Sequence, residues 1–80
     1  MTEAKAAIVT AGGRGIGAAC ARTLAERGYG LALMSPSGSA EALAQELGGI
    51  GMRGSVTDVG DIEALVARAI EEYGRVDAVV

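Results

Sequence analysis

The chain has 80 residues, half of them hydrophobic, yet it contains no Phe or Trp and only two tyrosines. Because a domain usually needs about 100–200 residues, a chain of this length forms at most one compact unit. A single cysteine and no histidine exclude a disulfide framework and argue against a metal site. The net charge of −3, with scattered basic residues, argues against a nucleic-acid surface.

No apolar run approaches the roughly 18 residues that a membrane span needs. The start of the chain also lacks the pattern of a secretory signal. We therefore expect a cytoplasmic protein that has no membrane partner. Thirteen glycines and many alanines accompany the shortage of aromatic residues. This composition indicates one layer of a larger fold rather than a complete small protein.

The first third of the chain predicts a strand followed by a helix. Residues 6–10 form an almost continuous apolar run, which is typical of a strand covered on both faces. Residues 16–27 follow as a helix, and its apolar stripe contains Ile16, Cys20 and Leu24. We expect Cys20 on this stripe to be a buried packing thiol rather than a nucleophile.

The next segment predicts a second strand and a second helix. Gly28 lies where a helix-ending glycine belongs, and residues 31–35 form the second strand. A turn follows, and Ser39 is in position to cap a helix over residues 40–47. The glycine pair at 48–49 ends that helix.

The last third of the chain predicts a strand, a long helix and a final strand. Residues 50–55 form a strand interrupted by glycine, and Asp58 then caps the helix with the clearest apolar periodicity. Gly74 ends this helix, and residues 75–80 form the last strand. The apolar face of the helix consists of Ile62, Leu65, Val66, Ala69, Ile70 and Tyr73.

The predicted order β-α-β-α-β-α-β implies right-handed crossovers and a parallel sheet with helices on both faces. The sequence therefore predicts an α/β fold with one parallel sheet. Alanine and glycine on the helix faces would let helices and sheet approach closely.

Residues 10–17 form a glycine-rich turn between the first strand and the first helix, where a dinucleotide-binding sheet holds pyrophosphate. Glycine removes the Cβ between the backbone and the phosphates, and the N–H groups at the helix start favour an anion. We expect the N–H of Ile16 to make a direct phosphate contact. The alternative is a tight turn that binds nothing. The candidate cofactor-binding residues of the turn are Ala11, Gly13, Arg14, Gly15, Ile16 and Gly17.

This turn resembles the cofactor motif of the short-chain dehydrogenase/reductase family, which reads Thr-Gly-x-x-x-Gly-x-Gly. Thr10, Gly15, Ile16 and Gly17 match the motif, and Ala11 replaces its first glycine. The turn is not a P-loop, because no Gly-Lys-Ser/Thr follows. The resemblance covers nearly the whole chain and implies a protein that binds a nicotinamide dinucleotide. It also implies the first half of a Rossmann-type, doubly wound parallel sheet with the strand order 3-2-1-4. Residues 1–80 are therefore expected to form a single, partial dinucleotide-binding domain.

The resemblance extends to residues 73–80, which look like the family's approach to its fourth strand. Members transfer a hydride between the nicotinamide and a carbonyl or alcohol, with a serine and a Tyr-x-x-x-Lys pair in catalysis. No lysine follows Tyr73 at the fourth position, so no catalytic residue is assigned here. The resemblance implies the cofactor-binding portion of a longer, homo-oligomeric oxidoreductase that is truncated before its catalytic half. A non-catalytic dinucleotide-binding module and an inert fragment remain alternatives.

The end of the second strand favours NADP(H), with NAD(H) as the alternative. An NAD site usually carries an acid about 20 residues after the glycine turn, but this chain has Ser35 there. The nearest carboxylate, that of Glu41, falls on a helix. A 2′-phosphate would find hydrogen-bond donors here in the hydroxyls of Ser35, Ser37 and Ser39 and in the guanidinium of Arg14. Ser35 and Ser37 are therefore cofactor-binding candidates.

Ser55 and Val56 occupy the place where the resembling family usually has Asp-Val beside the adenine. We expect Ser55 to offer a hydrogen bond to the adenine. We expect Val56 to contact the adenine ring and to offer its backbone N–H. The alternative is a strand end that contacts no ligand. Asp58 is better explained as a helix cap than as an adenine contact.

Overall fold

The computed structural model describes residues 5–10 and 15–80, which form one parallel sheet with three helices. The elements alternate strictly between strand and helix along these residues. In chain order they are β1 (Ala6–Val9), α1 (Gly15–Glu26), β2 (Gly30–Ser35), α2 (Ser39–Leu47), β3 (Ile50–Arg53), α3 (Val59–Tyr73) and β4 (Ala78–Val79).

The sheet order is β3-β2-β1-β4, with every neighbouring pair parallel. This confirms the predicted Rossmann-type topology. Adjacent strands are in a register that pairs Val9 with Leu33 and Ser35 with Arg53. Because the strands are parallel, their carboxyl ends lie at one edge of the sheet, which we call the carboxyl edge.

Helices α1 and α2 cover one face of the sheet, and α3 covers the other. Alternate residues of β1 and β2 point to opposite faces, as strand geometry requires. Buried Val9 and Leu33 pack with α2, whereas Ile8 and Met34 pack with α3. Coverage of both faces explains why the strands lack polar alternation.

Helix α1 packs on the sheet with a different face from the predicted one. Ala21 is fully buried there, with Ala18 and Ala25 packed partly against the same cluster. Ile16 is 84% exposed and Cys20 is only half-buried, so the prediction of a buried Cys20 was wrong. The small alanine side chains permit close helix–sheet contact, which displaces the larger side chains to the flank of the helix.

Apolar side chains of α1 line a shallow groove together with Val80. Ile16, Cys20 and Leu24 are among the lining residues, and Leu24 also packs partly against the same core cluster as Ala21. Arg27 lines the same groove. Its apolar lining accounts for the stripe that the sequence shows on α1.

Helix α3 confirms the predicted cap and most of the predicted apolar face. The Asp58 carboxylate accepts hydrogen bonds from two backbone N–H groups of the first turn, as expected for an N-cap. Leu65 and Ala69 are buried against the sheet, and the Tyr73 hydroxyl donates to the Leu31 carbonyl at 2.9 Å. Ile70 is half-exposed, so the buried face is narrower than predicted.

The start of α2 departs from the prediction. The helix begins at Ser39 after Gly38, and no side chain caps it from the N-cap position. The Ala40 N–H instead donates to the hydroxyl of buried Ser35 at 3.1 Å. The predicted Ser39 cap is wrong because the preceding strand already supplies the acceptor.

The last two strands are shorter than predicted. β3 ends at Arg53 instead of Ser55, because the chain leaves the sheet and the Ser55 N–H donates to Asp61 at 3.0 Å. β4 spans only two residues, although the Asp77 N–H and the Val80 N–H also bond to β1 carbonyls. Within the described residues, no helix is long and apolar enough to cross a membrane.

Candidate functional site: a dinucleotide crevice at the carboxyl edge

The topology places a ligand crevice between β1 and β4. Helix α1 connects β1 to β2 on one side, whereas the later connection through α3 crosses to β4 on the other side. The strand order reverses at this point, and open α/β sheets bind ligands outside the carboxyl ends of the strands there. Thr10 follows β1, and Gly15 begins α1 at this carboxyl edge.

Thr10 joins the two strands that border the crevice. Its N–H and its hydroxyl both donate to the Val80 carbonyl, at 3.1 and 3.0 Å. These bonds hold the carboxyl ends of β1 and β4 together. Thr10 therefore has a structural reason to occupy the first position of the glycine motif.

The described end of the glycine turn leaves room for an anion. Gly15 has a φ of +57°, and a Cβ built on it would meet no atom within 4 Å. Ile16 is exposed and begins the first turn of α1 with Gly17, which is half-buried. Open space beside N–H groups that start a helix and have no partner within that helix fits the pyrophosphate of a dinucleotide. The predicted contacts of Ala11, Gly13 and Arg14 lie outside the described residues.

Buried Ser35 orders the loop between β2 and α2. Its hydroxyl donates to the Ser37 carbonyl at 2.8 Å and accepts from the Ala40 N–H at 3.1 Å. It also lies 3.3 Å from the Ser39 hydroxyl. Ser35 thus holds the loop in shape from its buried position at the end of β2. Ser37 is exposed and Ser39 is half-buried, and their hydroxyls lie 2.9 Å apart.

The loop between β3 and α3 has its own internal support. The Ser55 hydroxyl lies 2.7 Å from the Thr57 hydroxyl and accepts from the Thr57 N–H at 3.2 Å. Asp61, in the first turn of α3, accepts from the Ser55 N–H. Val56 is 52% exposed at the carboxyl edge, so its side chain and backbone are accessible to a flat ligand ring.

Sequence reasoning missed two residues of this edge. Arg53 lies directly beside Ser35 because the register of β2 and β3 pairs them. Asp61 fixes the backbone of Ser55, and its position three residues after the Asp58 cap was the only available signal. The first depends on strand register and the second on a loop conformation, neither of which a local pattern specifies.

Asp77, just before β4, and Tyr73, at the end of α3, lie at the edge of the sheet opposite the carboxyl edge. Asp77 accepts from the Ala6 N–H at 2.9 Å, and the Arg75 guanidinium together with that N–H lowers the pKa of Asp77. Burial raises the pKa of the Tyr73 hydroxyl, which bonds near the start of β2. Both groups therefore stabilise strand starts instead of facing the crevice.

Residues 5–10 and 15–80 contain no group of three or more His, Cys, Asp or Glu side chains that could hold a metal ion. The hydrogen-bond donors at the carboxyl edge are backbone N–H groups, hydroxyls and the Arg53 guanidinium, and the carboxylates of Glu41 and Asp61 accept from Arg53 and from the Ser55 N–H. Such a donor set binds phosphate and ribose oxygens.

Comparisons with known proteins point to one family. The sequence model of the family described as short chain dehydrogenase matches residues 5–80. The oxidoreductase UcpA of Salmonella typhimurium is 42% identical over 81 residues, covering 95% of this chain and 31% of that relative. The 3-oxoacyl-[acyl-carrier-protein] reductase FabG of Escherichia coli is 40% identical, covering 98% of this chain and 33% of that relative.

A solved structure shares the fold. The 3-ketoacyl-(acyl-carrier-protein) reductase of Brucella melitensis, crystallised as a complex with NADH, superposes with a TM-score of 0.88 and 26% identity. The superposition covers 96% of this chain and 33% of that one. The chain thus spans about a third of the length of the curated relatives and of this structure.

Proposed function

The chain belongs to the short-chain dehydrogenase family, and we propose that it is the NADP(H)-binding portion of an oxidoreductase. The bound nicotinamide would supply or accept a hydride, with a carbonyl or alcohol compound as the other reactant. The names of the relatives, an oxidoreductase and two acyl-carrier-protein reductases, support this class of reaction. Because the chain carries no Tyr-x-x-x-Lys pair, the catalytic groups would belong to a longer protein.

The observation that carries the proposal is the start of α1 at the point where the strand order reverses. The N–H of exposed Ile16 and the Cβ-free backbone of Gly15 would hold the pyrophosphate. Gly17, the residue after Ile16 in the first turn of α1, would keep the helix close to the ligand. Ala11, Gly13 and Arg14 stay predicted members of the same cradle.

The loop after β2 supports NADP(H) over NAD(H). Ser35 ends the strand where an NAD site usually carries a carboxylate, and its hydroxyl is used within the loop. Ser37 then offers an exposed hydroxyl to a 2′-phosphate. Glu41 in the first turn of α2, together with the NADH complex of the solved relative, favours the NAD(H) alternative.

Ser55 and Val56 would contact the adenine end of the cofactor. Asp61 occupies the Ser55 N–H, which leaves the serine hydroxyl and the exposed Val56 backbone as the groups available to the ring. Asp61 is a positioning residue in this proposal because it acts through Ser55. The cytoplasmic location and the homo-oligomeric state of the longer protein stay predictions.

A matched pair of glycine variants tests dinucleotide binding. Gly15 and Gly28 both have positive φ, and a Cβ on either would meet open space, so alanine strains the backbone of each similarly. Only Gly15 faces the proposed pyrophosphate site. We expect Gly15→Ala to weaken NADPH binding by at least about tenfold and Gly28→Ala to leave it within about twofold.

Titration of the protein with NADPH and NADH, followed by fluorescence and calorimetry, provides the measurement. Equal loss in both variants would show a folding defect rather than a lost binding site. No binding of either dinucleotide by the folded wild-type chain would overturn the proposed function. Tight binding by this chain alone, with no activity in any longer form, would support the non-catalytic module instead.

A further inference from the structure

Arg53 is a cation placed against the loop that would hold the adenosine ribose. It ends β3 and pairs in register with Ser35, the last residue of β2. We infer that Arg53 contacts the 2′-phosphate of the dinucleotide and thereby determines a preference for NADP(H). This inference rests on the proposed function, because it assigns a specificity residue to the same cofactor site.

The guanidinium of Arg53 lies over the loop between β2 and α2. A Cβ built on Gly38 would stand 2.8 Å from the Nη2 atom of Arg53. The arginine therefore occupies the space that a side chain at Gly38 would fill. In NADP sites an arginine near the end of the second strand accommodates the 2′-phosphate, and Arg53 reaches this position from the neighbouring strand β3.

The loop under this guanidinium carries serine hydroxyls on both sides of Gly38. The Ser37 and Ser39 hydroxyls belong to the residues that flank Gly38 and lie 2.9 Å apart. Ser35 holds the same loop in shape from its buried position. A guanidinium with neighbouring hydroxyl donors matches a phosphate group in both charge and hydrogen-bonding capacity.

Arg53 forms an exposed ion pair with Glu41, which a phosphate can replace. Its Nε donates to Oε1 of Glu41 at 3.2 Å, and both side chains are exposed, at 65% and 48%. Exposed ion pairs contribute little to stability, so a phosphate carrying between one and two negative charges competes well for the guanidinium. Glu41 opposes that phosphate, both by holding Arg53 and by its own charge.

Charge variants of this pair should move cofactor preference in opposite directions. We expect Arg53→Gln to lower the ratio of NADPH to NADH affinity about tenfold to hundredfold, through loss of a charge-assisted contact to phosphate. We expect Glu41→Gln to raise the same ratio. Dissociation constants for both dinucleotides, measured on the whole chain at fixed low salt, supply the ratio.

The pair formed by Arg22 and Glu46 provides a matched control. It joins α1 to α2 away from the carboxyl edge, and its side chains are 52% and 56% exposed, close to those of the Arg53 pair. Arg22→Gln removes one positive charge at a similar exposure, so it should leave the affinity ratio unchanged. A change as large as that of Arg53→Gln would show a general charge effect and overturn the inference.

A second variant perturbs Arg53 without replacing it. Gly38 has a φ of −79°, which alanine adopts freely, and the added methyl would displace the guanidinium. We expect Gly38→Ala to lower the affinity ratio in the same direction as Arg53→Gln but by less. An unchanged ratio in both variants, with both dinucleotides still bound, would overturn the role of Arg53 and leave the proposed function standing.

Two further outcomes are decisive. An equal loss of NADPH and NADH affinity in Arg53→Gln would assign Arg53 to a part of the cofactor that both dinucleotides share, which contradicts the inference. Failure of the wild-type chain to bind either dinucleotide would overturn the proposed function and this inference with it.

Discussion

The two faces of the sheet both use glycine to bring helix and sheet together, but for different reasons. On the face covered by α2, a Cβ at Gly51 would lie 2.5 Å from the Glu41 Cα, which is backbone. On the face covered by α3, a Cβ at Gly30 would lie 2.4 Å from the Tyr73 ring. The first glycine permits contact between two backbones, and the second makes room for one side chain.

This difference determines how each face can respond to change. A side chain can rotate away from a new methyl group, whereas a helix backbone moves only if the whole packing of that helix shifts. Adding atoms between the sheet and α2 should therefore destabilise the fold. On the α3 face, removing a large side chain should destabilise it. The following predictions test that division, beginning with the largest effect.

Leu65→Ala should give the largest loss of stability because it empties the centre of the α3 face. Leu65 is 1% exposed, and truncation of a buried leucine costs about 2–5 kcal/mol. Val59→Ala on the same helix is the control, since Val59 is 69% exposed and should change stability by less than about 0.5 kcal/mol. Urea denaturation of both variants provides the comparison, and near-equal midpoints would contradict the assignment.

Gly51→Ala should destabilise the α2 face by about 1–3 kcal/mol through overpacking against backbone. Truncation of the neighbouring side chain should not rescue it, because Glu41→Ala leaves the clashing Cα in place. Thermal unfolding of the single and double variants tests this. Recovery of stability in the double variant would show that a side chain, not the backbone, limits the approach.

Gly30→Ala should lower stability by less than Gly51→Ala, and truncation of Tyr73 should remove most of that loss. The Tyr73 ring is the obstacle, so the Tyr73→Ala background should accept the new methyl with almost no further loss. A double-mutant cycle should give a coupling energy of about 0.5–3 kcal/mol between the two positions. Strict additivity would show that Gly30 is needed for a reason other than the tyrosine.

The smallest expected effect concerns Asp77 and acid. Because the Arg75 guanidinium and the Ala6 N–H lower the pKa of Asp77, the folded state favours its carboxylate. The resulting stability is present above the ordinary aspartate pKa of about 3.9 and disappears as pH falls through the lowered pKa of the folded state.

Asp77→Asn provides the test of that pH dependence. The stability difference between wild type and variant should be greatest near neutral pH and should shrink below pH of about 4. Glu63→Gln, on the exposed side of α3, removes one carboxylate without touching β1. A wild-type advantage over Asp77→Asn that does not change with pH would contradict the proposed role of the carboxylate.

Much of the fold was predictable because its signals are local. The strand and helix order follows from periodicity, and glycines at positions 28, 48 and 74, all with positive φ, mark helix ends. The buried side of α1 was not predictable in the same way. Ile16 and Cys20 are the more hydrophobic choice, but close packing on the sheet selects the smaller Ala21 instead.

The candidate site divides similarly. The glycine turn and the absence of a carboxylate at Ser35 are visible along the chain, because each is a short pattern next to a recognisable element. Arg53 and Asp61 belong to the same edge but act through strand register and a loop hydrogen bond. Those relations join residues that are distant in sequence.

The sequence by itself therefore determined the family, the alternation of strands and helices, and the place of the glycine turn between β1 and α1. Only the tertiary structure decided which face of α1 is buried, which hydroxyl shapes the loop between β2 and α2, and which arginine stands over Gly38. The physical reason is that periodicity and turn chemistry act over a few residues. Register, packing distance and charge pairing depend on how separate elements meet.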